Sequence, residues 1–524
     1  MKAIISVVLF IMLSSPLFCQ EFPVEWGPPI KSSGYLLDIL PKENSSFYTL
    51  RWSGILGNYR INEHYNMIEV NQERIKPVIE SGIATIESTL YHGGKLIVFL
   101  SDKANGTMAL YSQELGEDLL PSGPSVLLAE YVNANLGAKP NFNIISSANR
   151  RYIGVVWQIP GRKEVSDLYG YVILDSALTT TQKGEYTLPF SGNMSTINED
   201  HISNTGDYYL ILTEHKESNT RFLNKAYENF KAIHIYKIHD SVLKEFSVDV
   251  DEKRIDDIFI SSNDSNIISL SGLYGNGNYQ GLEGVFSIRI DANKDSMTAR
   301  GLIPFGKDIL KDNMTDRQFD RYERRFQNNG QSPQIYDYKL RTIFTLDDGS
   351  SIGSLEKYFI QTRTNYDSRT GISNTTNTYY YNDIIAFRIG LDGKFVWETR
   401  IAKQQVSVND GGPYSSYQSF TNGKDLHFIF NDNQRNYDEL GEFSQFDGQV
   451  YSYNLSRRNN AVAICSINIE TGKLERKTMF SRKELSSIVI PKMMKLNQKD
   501  KELLLYAITR GKERFGILSF KNKY

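Results

Sequence analysis

Along most of the chain, short runs in which apolar and polar residues alternate are separated by clusters of Gly, Asn, Asp and Ser, the pattern of strands joined by tight turns. The segment "AVAICSINIETGKLERKTMF" (461–480) is one instance, with a strand, a turn at Thr471-Gly472-Lys473, and a second strand. "IIAFRIGLDGKFVWETRIAK" (384–403) and "YGYVILDSALTTTQKGEYTLPF" (169–190) repeat it with different turns. A shorter and more apolar run precedes each hairpin, such as "LHFIFND", "YYLILTE" or "KLIVFLS", and a half-apolar run precedes that. The unit therefore predicts four strands, designated A to D. The most apolar, B, is the one expected to be buried on both faces.

Strand C is predicted to begin near Met67, Met108, Tyr171, Ile233, Phe286, Ile385, Ala463 and Phe515, at unequal spacings of 41 to 99 residues. That irregularity excludes a strict solenoid. Four-stranded units on this scale predict an all-β chain folded as a single β-propeller, with eight blades favoured over seven. The last unit ends at Tyr524 after three strands, so "FPVEWG" near the N-terminus is expected to supply the missing outer strand and close the ring.

Because strands alternate in direction within a blade, the B to C and D to A connections emerge on one face and the A to B and C to D turns on the other. The long connections 214–231, 272–284, 361–381 and 433–460 are of the B to C kind. The D to A segment 306–333 opens on the same side, so surplus chain accumulates on one face, where binding tends to reside. Within that insertion, "TDRQFDRYERRFQNNG" predicts one short helix. Thr315 and Gln318 form a capping box, Phe319, Tyr322 and Phe326 an apolar stripe to lie on the propeller, and Gly330 an end. Arg317, Arg321, Arg324 and Arg325, interleaved with Asp316, Asp320 and Glu323, read as a solvated surface in preference to an anion site. The stretch 361–381 is polar until its tyrosines and reads as a mobile loop.

Candidate binding residues follow from this placement. Tyr274, Tyr279, Tyr366, Tyr379, Tyr380, Tyr381 and Tyr414 bring aromatic rings to the loop face, and Asn431, Asp432, Asn433 and Arg435 add polar groups beside them. A ring with one polar handle suits sugars and polypeptides alike. Asp410-Gly411-Gly412 is the most distinctive local stretch, its glycines allowing either close approach of a ligand or a tight turn into strand A.

Composition changes this picture little. The 524 residues carry 59 Lys and Arg against 61 Asp and Glu, a balance that gives no footprint for nucleic acid. High Tyr (32) and Phe (27) and an excess of Gly (38) over Pro (15) agree with strands and tight turns. Residues 1–19 have one lysine, a short apolar run and a polar exit, the pattern of a signal peptide too short to span a bilayer, so 20–524 is the expected mature, exported chain. Phe18 before Cys19 departs from a lipid-attachment box. With Cys19 removed, Cys465 has no partner for a disulfide and reads as a small core residue. No later segment is apolar enough to cross a membrane, and a monomer is expected.

Two turns, "INIETGKL" and "GLDGKFVW", resemble the quinoprotein-type propeller repeat, but the Trp of that repeat is missing from most units and nothing marks a quinone pocket. A wider stretch, "YYYNDIIAFRIGLDGKFVWETRIAKQQVSVNDGGPYSSY" with "HFIFNDNQRN", resembles secreted propeller-like proteins of Bacteroidota without assigned function. The triplets at Asp175, Asp240 and Asp295 are similar to O-glycosylation sites of that phylum.

No cofactor and no metal is expected. The histidines are scattered, and no His-Glu-x-x-His, Walker or Gly-x-Ser-x-Gly motif occurs. "DANKDS" (291–296) starts like a calcium loop, but Ser296 replaces its turn glycine and Leu302 its final carboxylate. Asp347, Asp348, Glu356, Asp410 and Asp432 all lie near strand ends, and no pair among them is singled out for glycoside hydrolysis. The sequence thus predicts an exported propeller that binds a polypeptide or glycan partner through its loop-rich face, with a carbohydrate-active enzyme as the alternative.

Overall fold

Strand B carries an apolar run at its centre and is buried at nearly every position, so it is covered on both sides, as in Ser46–Trp52, Tyr208–His215 and Asp425–Asn433. The computed structural model describes residues 23–55, 58–79, 82–132, 139, 141–159, 165–190, 194–216, 229–277, 280–329, 333–445, 449–453 and 459–520. Seven four-stranded antiparallel sheets follow in order, sheets 1 to 7, spanning 35–75, 85–132, 142–187, 195–246, 253–304, 338–408 and 418–481. Sheet 8 combines Ile488–Val489 and Lys495–Asn497 as strand A, Glu502–Thr509 as B and Lys512–Ser519 as C. Its outer strand is the N-terminal Val24–Trp26, with Ile30–Lys31 continuing along the same edge. The sequence expectation of closure by "FPVEWG" is met, since Val24 lies opposite Leu518 and Trp26 opposite Gly516.

Eight apolar clusters fill the spaces between successive sheets. The series runs from the cluster around Leu50, Ile61, Val98 and Leu115 between sheets 1 and 2 to that around Phe420, Val462, Leu505 and Leu518 between sheets 7 and 8. The eighth joins Ile39 and Phe47 of sheet 1 to Leu504, Phe515 and Ile517 of sheet 8, so the circle is closed. The chain is a β-propeller. Cys465 is fully buried, and burial pushes its thiol up to about 12.

The two quinoprotein-like turns are hairpins that dock one sheet on the next. Gly472 adopts a left-handed φ of 71°. An added Cβ there would stand 2.7 Å from the Trp397 ring of sheet 6, whose Nε1 donates to the Ile469 carbonyl at 2.7 Å. The 291–296 segment is likewise a hairpin turn, with the Asn293 and Lys294 amides donating to Asp291 Oδ1.

Four local expectations are corrected. Strand C of sheet 1 is Tyr59–Tyr65, not the run beginning at Met67, which sits in the following turn at φ 64°. Beside Ile61 its buried positions are Asn62 and His64, polar residues that conceal a buried strand. Second, 272–284 is not all connection. Gly272 lies inside strand B (Ile267–Asn276), where an added Cβ would come within 3.0 Å of Ile255 Cγ2, and Tyr274 is buried in the core. Third, 361–381 is no loop. Strands B (Ser351–Asp367) and C (Ile372–Ile389) of sheet 6 run on as a hairpin arm, in register from Tyr358 opposite Tyr381 to Asp367 opposite Ile372. Fourth, the 306–333 insertion holds two helices, α1 (Lys307–Asp312) and α2 (Asp316–Asn329). The capping box is present, with the Thr315 amide donating to Gln318 Oε1 at 2.9 Å and the Gln318 amide to Thr315 Oγ1 at 3.3 Å. Tyr279, Gly330, the 1–19 segment and the middle of 214–231 lie outside the described residues, as do parts of 433–460. No helix among the described residues is long and apolar enough to cross a membrane.

Candidate functional site

On the face reached by the B to C connections, sheets 6, 7 and 8 converge on a group of charged side chains. Glu356, on strand B of sheet 6, is wholly buried. Its Oε1 accepts from Lys403 Nζ at 2.9 Å, and its Oε2 accepts from Arg341 Nε at 3.0 Å and Ser416 Oγ at 2.8 Å. Lys403 is equally buried and spends its other two protons on the Tyr381 carbonyl (2.8 Å) and Gln405 Oε1 (3.1 Å). Burial pushes the Lys403 ammonium downward, and the Glu356 carboxylate beside it opposes the shift. All three donors of the lysine are engaged, so the group ties sheet 6 together and holds no reactive valence.

Asp432, Asn433 and Asn431 end strand B of sheet 7, and all three are buried. Asp432 Oδ1 accepts from the Asn433 amide at 2.8 Å and from Asn436 Nδ2 at 2.9 Å, while Oδ2 accepts from Tyr437 Oη at 2.6 Å and from Arg476 Nη2. Asn433 Nδ2 donates to the Ser452 carbonyl, and Asn431 Nδ2 to the carbonyls of Tyr414 and Val489. These predicted binding residues therefore seat the 434–453 connection and the strand ends around it. The Asp410-Gly411-Gly412 stretch does similar work. Gly411 and Gly412 have φ of 72° and 65°, their carbonyls accept from Tyr381 Oη and Lys492 Nζ, and a Cβ on Gly412 would strike the Tyr381 ring at 2.5 Å. These contacts make the stretch a tight turn.

The exposed candidates lie elsewhere. Tyr366 is 67 % exposed near the tip of the arm, and Tyr379 and Tyr380 are half-buried at its base, where Tyr380 stacks on Phe359 at 4.4 Å. Arg435 is exposed and lies 3.9 Å over the Tyr451 ring. Tyr381 is buried beneath Lys492. The candidate carboxylates divide between the two faces, Glu356 and Asp432 both acting on Lys403, and Glu356 and Asp410 on Lys492. Asp347 and Asp348 occupy the A to B turn on the opposite face, where Asp348 pairs with Arg388 at 3.0 Å, while Glu356 and Asp432 are consumed in the networks above. No group of three or more His, Cys, Asp or Glu side chains suited to a metal occurs among the described residues.

Sequence reasoning overlooked Lys403, Arg341 and Lys492. Lys403 alternates with Ile401 and Gln405 along strand D, which is the only trace of its burial in the sequence.

The helical insertion is anchored by Glu398 on the same strand D, which accepts the Gly306 amide at the start of α1 at 2.9 Å. Burial raises the Glu398 carboxyl from 4.5 to about 7. The fold thus favours its protonated form. Stability from this group is full below about pH 4.5 and is lost as the pH rises to about 7, at a cost of about 1–3 kcal/mol after allowance for partial exposure. Glu398→Gln keeps an acceptor for Gly306 without the charge. It is expected to raise the melting temperature by about 1–4 °C at pH 8 and to leave it unchanged at pH 4.5, in parallel thermal scans.

No family model matches the chain, and no curated protein matches it. Among solved structures, the WD40 domain of SCAP from fission yeast aligns with a TM-score of 0.34 and 11% identity over 95% of this chain and 94% of that one. The polysaccharide lyase PL25 ulvan lyase bound to a -[GlcA(1-4)Rha3S]- saccharide aligns at 0.34 and 10%, over 94% and 95%. Prolyl oligopeptidase B from Galerina marginata aligns at 0.37 and 11%, over 93% of this chain and 55% of that one, so the chain spans about half the length of that peptidase. At these values neither activity nor ligand is transferred.

Proposed function

We propose that this propeller is an exported binding module whose partner is a polypeptide held by the sheet 6 arm. The observation that carries the reading is the arm's unprotected backbone. Strand A of sheet 6 pairs with strand B only as far as Tyr338 opposite Lys357, and strand D with strand C only as far as Val408 opposite Thr378. Asn409 extends the cover by one residue, its amide donating to the Asn377 carbonyl at 2.9 Å and its Oδ1 accepting from the Asn377 amide at 2.8 Å. Residues 359–367 and 372–376 therefore present open edges on opposite sides of a two-stranded ribbon. Natural edges are ordinarily blunted by proline, lysine, bulges or cover, whereas the 372–376 edge reads Ile-Ser-Asn-Thr-Thr and carries no such device. An extended peptide adds to an edge of this kind through main-chain hydrogen bonds. Exposed Ile360, Tyr366 and Ile372 offer side-chain contacts along it. The signal-peptide pattern of residues 1–19 supports export, and the engagement of Glu356 and Asp432 within the fold supports binding over hydrolysis.

Gln361 faces Thr378, so excising 362–377 and inserting an Asn-Gly turn closes the hairpin in register. In a pull-down from the envelope and secreted fractions of the source organism, run beside a glycan array, the full chain is expected to retain a polypeptide partner that the shortened chain loses. The two proteins are expected to melt within about 2 °C of each other, because the arm packs on no core cluster. Equal retention by both proteins, or retention of a glycan alone, would overturn the reading.

A further inference from the structure

At the foot of the arm lies a cavity of about 330 Å³, bounded by α2, by residues 333–336 leading into strand A of sheet 6, and by Lys357 at the end of the paired part of strand B. Its origin is in how α2 sits. Phe319 packs against the core between sheets 5 and 6, Tyr322 is half-buried, and Phe326 is 51 % exposed. The apolar stripe is thus seated at its N-terminal end only, contrary to the expectation that all three residues lie on the propeller. The chain after α2 also turns away from sheet 6. Ile335 and Leu282 exchange backbone hydrogen bonds at 2.9 Å each, which carries residues 333–336 to sheet 5 and leaves strand B without a neighbour on that side beyond Tyr358.

The wall chemistry has one sign. Arg321, Arg325 and Lys357 line the cavity, and no carboxylate does among the described lining residues. None of the three cations has a carboxylate partner among the described residues. Of the carboxylates nearby, Glu283 is held by Lys253 at 2.7 Å and Glu323 lies 3.6 Å from Lys307, while Asp337, next to Tyr336, does not line the cavity. Tyr322, Tyr336 and Gln334 add two rings and an amide. Three unpaired cations around a concave, partly aromatic pocket at the lower end of small-molecule site volumes form a seat for an anion.

The cavity also lies on a line with the open edge. A peptide that adds to residues 359–367 occupies the lane strand A has vacated, and its end nearest the propeller arrives at Tyr336 and Lys357. We propose that this cavity receives an acidic side chain of the polypeptide that the arm binds, so the partner segment is extended and carries Asp or Glu at the end nearest the propeller. The inference rests on the strand-addition reading of the arm and adds the partner's charge. Cations in a half-open pocket act mainly through steering and charge-assisted hydrogen bonds, so the contact weakens as salt screens it.

The test uses a labelled hexaglutamate peptide, with hexaglutamine and an oligogalacturonate as comparison probes, on the full chain, on the arm-shortened chain and on R321Q/R325Q/K357Q. The full chain is expected to bind hexaglutamate in preference to both other probes, about tenfold more weakly at high than at low salt, and the triple variant to lose about tenfold in affinity at low salt. Preference for oligogalacturonate, equal binding of hexaglutamine, or undiminished binding by the triple variant would each overturn the assignment. Failure of the arm reading is separately visible. The shortened chain would then capture the natural partner as well as the full chain does, whatever hexaglutamate shows. If instead the arm reading holds and the cavity assignment fails, the triple variant captures that partner undiminished.

Discussion

Arg51→Met is expected to lower the stability of the propeller by about 3–5 kcal/mol, read as a fall in the denaturant midpoint with little change in slope. Arg51 lies on strand B of sheet 1 and is 2 % exposed, and its partner Glu513 on strand C of sheet 8 is 1 % exposed. Their contact is bidentate, with Nη2 2.6 Å from Oε1 and Nη1 donating to Oε2 at 3.1 Å, and Tyr506 Oη also donates to Oε2 at 2.9 Å. Methionine fills much of the volume but leaves a buried carboxylate facing one hydroxyl. The double variant R51M/E513L removes both charges and is expected to recover most of the loss, since replacing a buried ion pair by apolar groups is often close to neutral. If the single variant were as stable as the parent, the pair would contribute nothing to closure of the ring.

The position of this pair matters because sheets 1 and 8 are the two ends of the chain. The N-terminal strand is the outer edge of sheet 8, so the ring is held shut by the pairing of Val24–Trp26 with Lys512–Ser519 and by contacts across the first and last sheets. Trp26 packs edge-on against Phe480, Lys495 reaches Asp38 at 2.7 Å, and Asn497 Nδ2 donates to the Lys42 carbonyl. Closure of this kind was legible in the sequence, because a unit missing its fourth strand and an orphan strand at the other terminus have one economical arrangement. The B strands were legible for a related reason. A strand covered on both faces carries a central apolar run without alternation, and few other elements do, even where single charged residues such as Arg51, Glu356 and Asp432 are buried along it.

What escaped the sequence has a common physical cause, stabilisation by polar contacts. Tyr59–Tyr65 turns Asn62 and His64 inward, where Asn62 Nδ2 meets Glu69 at 2.7 Å, and His64 stacks on Phe47 at 4.6 Å while burial presses its imidazole down to about 3. Residues of these types are ordinarily a mark of loops. The arm is a starker case. It is held by its ladder and by cross-strand pairs such as Thr362 with Asn377 and Thr364 with Thr375, without any core beneath it, so the alternation that betrays a half-buried strand is missing. Buried Lys403 and Arg476 are invisible for the same reason, since a lysine or arginine in a strand reads as solvent-facing until its partners are known. The aromatic and amide residues expected on one face thus divide into struts (Tyr274, Tyr381, Asn431, Asp432, Asn433) and exposed groups (Tyr366, Arg435) along a line that only packing could draw.

Asp432→Leu is expected to cost about 3–5 kcal/mol and to expose the 434–453 connection to protease at the same time. The Arg476 guanidinium lies 4.1 Å over Phe443 and 5.4 Å over Phe430, with Nε on Tyr437 Oη at 2.9 Å and Nη1 on the Ala402 carbonyl at 2.5 Å. Removing Asp432 strands that cation among rings, takes the carboxylate acceptor from the Tyr437 hydroxyl, and leaves Asn436 held by its two bonds to the Tyr451 backbone alone. Asp432→Leu with Arg476→Met is expected to restore the denaturant midpoint to within about 1 kcal/mol of the parent, because no buried charge is then unpaired. The connection should stay protease-sensitive in the double variant, since an apolar pair replaces neither the Asp432 acceptor of Asn436 Nδ2 nor the partners of the Tyr437 hydroxyl. Stability and loop order then separate. Limited proteolysis of the two variants beside equilibrium unfolding then tests whether the network fixes the shape of the 434–453 connection, since in a purely stabilising role both readouts would recover together.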